Sequence, residues 1–151
     1  MGQPGNHNVL NRLLTVLYRS LPAYLTDATP WTHRGDEKSV DVLHRIVEDQ
    51  QQLATRIGEL VLDHYGAVEL GDFPLDFPDT NDLAFDYLIG KLVACQKRDV
   101  GTIERCVNQL QADFEARALA EEALGSARGH LESLEELAAE LAKADISWIK
   151  R

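Results

Sequence analysis

Apolar residues recur every three or four positions along most of the chain, the spacing of helices that each bury one stripe. Toward the C-terminus Ala120, Ala127, Leu134 and Leu141 lie seven apart, Ala123, His130 and Leu137 form a second row, and Leu124, Leu131 and Ala138 flank both. Upstream, Leu43, Gln50, Ile57 and His64 make one row and Ile46, Leu53 and Leu60 another. A further segment carries Leu88, Leu92, Cys95, Ile103, Cys106 and Leu110, and the first carries Leu10, Leu14, Leu17, Leu21 and Tyr24. The spacing predicts helices over about 9–25, 36–65, 80–110 and 115–144, within one domain over 9–144.

Breakers divide these segments. Pro22 predicts a kink or an early end near Ser20 to Leu21. The Gln96–Asp99 run and Gly101 weaken the third helix and predict a kink there. Gly66 predicts the stop of the second helix. Residues 66–79 alternate apolar with polar at Val68, Leu70, Phe73, Leu75 and Phe77, the pattern of a strap pressed onto the outside of a helical body. Residues 1–8 read as a disordered leader without the apolar run of a signal peptide. Residues 145–151 read as a tail whose Ile146, Trp148 and Ile149 dock back.

The long connection has a topological consequence. Short loops leave neighbouring helices antiparallel, whereas a strap as long as the domain lets the third helix start at the same end as the second. The expected fold is all-α: a left-handed four-helix bundle with one long crossover between helices 2 and 3.

Composition narrows the function classes. The 151 residues suffice for one domain with a real core. Lys+Arg 15 against Asp+Glu 25 gives a formal charge of -10, which argues against nucleic acid and anionic membrane surfaces as partners. No stretch approaches the roughly 20 apolar residues of a membrane span. Cys95 and Cys106, carried on one helix, would be separated by roughly 16 Å of rise, too far for a disulfide. Reduced thiols point to the cytoplasm. The strap is a candidate surface for a homodimer.

Two polar residues interrupt otherwise apolar rows, Gln50 and His130. An imidazole on a core stripe needs a hydrogen-bond partner. Gln50 and Tyr24 are the candidates, so a buried cluster of His130, Gln50 and Tyr24 is predicted. Cys95 and Cys106 read as apolar fillers, and Glu48, Asp49 and the acidic residues from Glu121 to Glu140 as solvated faces. No phosphate-binding glycine loop and no nucleophile–base arrangement can be assembled.

The closing segment, Leu124-Gly-Ser-Ala-Arg-Gly-His130-Leu-Glu-Ser-Leu134-Glu, resembles the last helix of bacterioferritins and rubrerythrins. Val47 to Ile57 resembles their second helix, and Leu10 to Leu14 with Tyr24 their first. The resemblance to this ferritin-like superfamily implies a di-iron or di-manganese centre, to which each half of the bundle gives a lone Glu and a Glu-x-x-His pair. His130 matches that pattern and Ala127 does not. Gln50 and Leu53 stand where the other Glu and His would be, Leu17 at a lone Glu, and Cys95 nearest the remaining one. A di-metal site needs several carboxylates to balance its charge. The expectation is therefore a degenerate site, with no catalytic residue, no bound cofactor and no metal ligand. The family's haem is excluded as well, because its axial ligand is an internal methionine and the only methionine here is Met1. Three functions follow, in order: a non-enzymatic scaffold or interaction protein whose partner the chain does not name; a protein binding a small molecule, or one iron or other transition-metal ion, in the remnant pocket; and a di-iron oxidase with displaced ligands such as Glu48, Asp49 and Glu122.

Overall fold

A computed structural model describes residues 4–28, 37–77 and 85–149. Their architecture is all-α, with helices α1 (Pro4–Tyr18), α2 (Leu21–Ala28), α3 (Glu37–His64), α4 (Phe85–Gln109) and α5 (Phe114–Ile149).

Pro22 splits the first predicted helix in two. Having no N–H, it cannot bond back to the carbonyl one turn earlier, and α1 ends at Tyr18. Ser20 restarts the helix as an N-cap, its Oγ accepting a hydrogen bond from Ala23 N at 3.2 Å. The predicted disordered leader is helical from Pro4 onward. Proline suits the first turn of a helix, and His7 Nε2 anchors this end by donating to the Ala67 carbonyl at 2.6 Å. The predicted tail is likewise helical to Ile149, since no glycine or proline follows Gly129 to stop α5. The docking expected of Ile146, Trp148 and Ile149 concerns side chains outside the described residues. The helix α4 runs unbroken through Gly101.

The remaining ends follow their capping chemistry. Gly66 takes a φ of 102° and donates its N–H to the Val61 carbonyl, closing α3 with a left-handed residue. Asp113 caps α5, its Oδ1 accepting from Ala116 N at 3.1 Å. Its other carboxylate oxygen accepts from the Tyr65 hydroxyl, tying the α4–α5 turn to the end of α3.

Side-chain pairs set the helix directions. Pairs Lys38–Glu140, Asp49–His130 and Arg56–Glu122 run α3 antiparallel to α5. Val9 lies at Cys106 and Arg12 at Gln109, while Leu21 and Leu25 share a core with Leu88 and Leu92, so α1–α2 runs antiparallel to α4. Asn11 meets Ala67 and Ser20 meets Gln50, which makes α1–α2 antiparallel to α3 as well. The helices α3 and α4 thus point the same way.

Residues 66–77 lie along α1–α2 as a strap. Asn11 holds Glu69 N, Arg19 Nε holds the Gly71 carbonyl, and Phe73 and Phe77 meet the Tyr24 ring. Phe77 is buried and Val68, Leu70 and Phe73 half-buried, but Leu75 is 96% exposed, against the expectation that all five press inward. Two apolar cores result. One gathers Leu10, Leu14, Ile57, Cys106 and Ala120; the other Leu25, Leu43, Leu88, Leu92 and Leu134.

Candidate functional site

Between the two cores the interior turns polar. The break before α2 brings Ser20 inward, where its Oγ donates to Gln50 Oε1 at 2.9 Å on α3. On α4 Gln96 Nε2 donates to the Ala127 carbonyl of α5 at 3.0 Å. One turn further along α4, Asp99 is mostly buried. Burial pushes its carboxyl up to about 6, while the Arg98 guanidinium, 3.9 Å away, pulls the other way. His130 on α5 is 9% exposed and donates Nε2–H to Asp49 Oδ2 at 2.9 Å, toward solvent. Leu17, Gln50, Gln96, Asp99, Ser126, Ala127 and His130 line a cleft of about 10 Å³, closed by Val16, Ile103 and Ala123.

Four of the seven predicted site residues, Leu17, Gln50, Ala127 and His130, therefore meet at one cleft. Three do not. Leu53 belongs to the first apolar core and Cys95 to the second. Tyr24 packs edge-on against Phe73, with ring centroids 5.3 Å apart. The expected cluster of His130, Gln50 and Tyr24 does not form. The break at Ser20 resets the helical phase, so Tyr24 leaves the row begun by Leu10 and Leu17. Gln50 pairs with Ser20, and His130 with Asp49, which is exposed as expected and still bonds inward.

Sequence reasoning missed Gln96 and Asp99. Their signal was a register: Leu92, Gln96, Asp99, Ile103, Cys106 and Leu110 step by four and three along one face. Burial pushes the Cys95 and Cys106 thiols up, which suits fillers and not nucleophiles.

The arrangement limits the chemistry. Ser126 Oγ lies 3.5 Å from the same His130 Nε2 that serves Asp49. A nucleophile–base–acid relay needs the two ring nitrogens to face different partners, so this trio cannot act as one. Nor does the cleft fit a di-metal centre. It offers one imidazole, one carboxylate and two amides, too little negative charge for two cations. Among the described residues no three His, Cys, Asp or Glu side chains converge as metal ligands. Glu122 is engaged by Arg56 at 2.7 Å on the surface, and Glu48 is exposed. A second depression, of about 590 Å³, lies open between α3 and α5 over Leu60 and Leu119, with Glu59, Asp63 and Glu115 at its rim.

No protein-family model, no curated protein and no solved structure matches this chain. No helix among the described residues is long and apolar enough to cross a membrane.

Proposed function

We propose that the chain is a non-enzymatic, ferritin-like protein that has exchanged its di-metal centre for packed side chains and now serves as a cytoplasmic scaffold or interaction protein. In this reading α1 and α2 together count as the first helix of a left-handed four-helix bundle, and the strap is its crossover. The parallel course of α3 and α4 supports that topology, because only a connection spanning the body can join two helices pointing the same way. The observation that carries the functional reading is the content of the cleft. Around His130, the positions at which the family would present acids hold Leu17, Gln50 and Ala127. An aliphatic chain, an amide and a methyl group bind no cation of high charge.

Elemental analysis after equilibrium dialysis against iron(II), manganese(II) and zinc(II) tests the proposal. Substoichiometric metal in every case is expected. Iron(II) added in air should oxidise no faster with the protein than in buffer. Two tightly held ions per chain, or accelerated oxidation, would overturn the reading.

A further inference from the structure

The amides around the cleft are locked in orientation by bonds elsewhere, and that locking specifies a guest. Ser20 Oγ accepts from Ala23 N and donates its own hydrogen to Gln50 Oε1. Gln50 Oε1 is thereby committed to Ser20, and its amide N–H₂ remains the donor. Gln96 gives Nε2 to the Ala127 carbonyl, which can only accept. Its Oε1 remains an acceptor, on a side chain 2% exposed, and that atom has no hydrogen-bond partner among the described residues. An acceptor buried without a partner has given up its hydration for nothing, so such atoms are rare unless something small completes them. Asp99 lines the same cleft with a second acceptor group. The space, about 10 Å³, is at the size that admits a single water molecule.

We infer that this cleft is a binding site for one water molecule, which donates to Gln96 Oε1 and to the Asp99 carboxyl and accepts from the Gln50 amide. Three polar partners are what a retained internal water ordinarily has. The competing guest of similar size is a bare alkali cation. The oxygens of Gln96 and Asp99 suit it, but the Gln50 N–H₂ turns positive hydrogens toward it. Once in place, the water closes a path across the interior: Ser20 at the N-cap of α2, Gln50 on α3, the water, Gln96 on α4 and the Ala127 carbonyl of α5. The helices are then held in register by hydrogen bonds as well as by packing. These bonds, the unpartnered Gln96 oxygen and the size of the cleft are the same whether or not the chain descends from a metal-binding bundle.

Crystals of the full chain at atomic resolution, with a second set soaked in rubidium or thallium(I), provide the test. The expected result is a peak at hydrogen-bond distance from Gln96 Oε1 and the Gln50 amide nitrogen, with no anomalous signal. An anomalous peak there would make it a cation site, and a cleft without density would remove the ligand; either overturns the inference. In solution, oxygen-17 relaxation dispersion should count one long-lived water fewer in Gln96→Met, whose thioether fills the space without the acceptor. An unchanged count would contradict the assignment, and if that variant does not fold the crystal result decides alone.

Discussion

Around Leu10, Leu14, Ile57, Cys106 and Ala120 the helices meet over aliphatic side chains and one thiol, whereas about two turns along α3 the same helices meet over Gln50, Gln96, Asp99 and His130. Both layers are buried by the same four-sided packing. The dry layer draws its stability from volume and area removed from water, and any atom taken away leaves a gap. The polar layer draws its stability from pairing, so its weakest member is the group paired least. Truncation should therefore harm the first layer, and neutralising a charge should help the second.

The largest contrast is expected at Ile57, which is 0% exposed in the dry layer. Ile57→Ala should lower the unfolding free energy by about 2–5 kcal/mol, read from urea denaturation with an unchanged slope. A loss below about 1 kcal/mol would mean that this layer is loosely packed and that the comparison fails at its dry side.

Asp99 should move stability the other way. In the unfolded chain its carboxyl releases its proton near 3.8, and in the folded protein only near 6. Between those values the folded state binds more protons than the unfolded one, so this group's contribution falls as pH rises from about 4 to about 6 and is level above that. The shift corresponds to a cost of about 3 kcal/mol once the carboxylate is ionised, by the relation between pKa and free energy. Asp99→Asn removes the charge and keeps the shape. It should raise stability at pH 8 by an amount of that order, about 1–3 kcal/mol, and make no difference below pH 4. Asp113 and Glu122, held below the usual carboxylate range by Tyr65 and Arg56, contribute with the opposite sign. The difference between variant and parent cancels them. Arg98 and His130 are the neighbouring groups able to reduce the effect. An equal stability difference at pH 4 and pH 8 would show that Asp99 is not a buried acid.

What could be read from the sequence follows the strength of each physical signal. The periodicity of α3, α4 and α5 is long and regular, and Gly66 and Pro22 act through backbone geometry that no tertiary contact can undo. The ends were less legible. Polar residues 4–8 look like a leader until the Ala67 carbonyl, 60 residues away, gives His7 a partner. In the site, Gln50 and His130 stand out because each interrupts an apolar row. Gln96 and Asp99 were hidden by their neighbours: four consecutive polar residues read as a weak point of the helix, although only Lys97 and Arg98 of the four are exposed. Partners were the least legible of all. Ser20 reaches Gln50 because the helix breaks, and the break also carries Tyr24 away to Phe73.

The mildest effect belongs to the rim of the polar layer, where Asp49 meets His130. The bond is of ordinary length, at 2.9 Å, and the Asp49 side chain is 54% exposed, so water competes for its oxygens and ions screen its charge. Asp49→Ala should therefore cost no more than about 1 kcal/mol, and most of that should vanish in high salt. His130→Ala should cost more, because it removes a buried ring from a layer with little room to collapse. Melting both variants at low and high ionic strength separates the two contributions. A salt-independent loss of several kcal/mol at Asp49 would mean that the carboxylate is part of the buried layer, and the boundary drawn here between a paired interior and a wet rim would have to move outward by one residue.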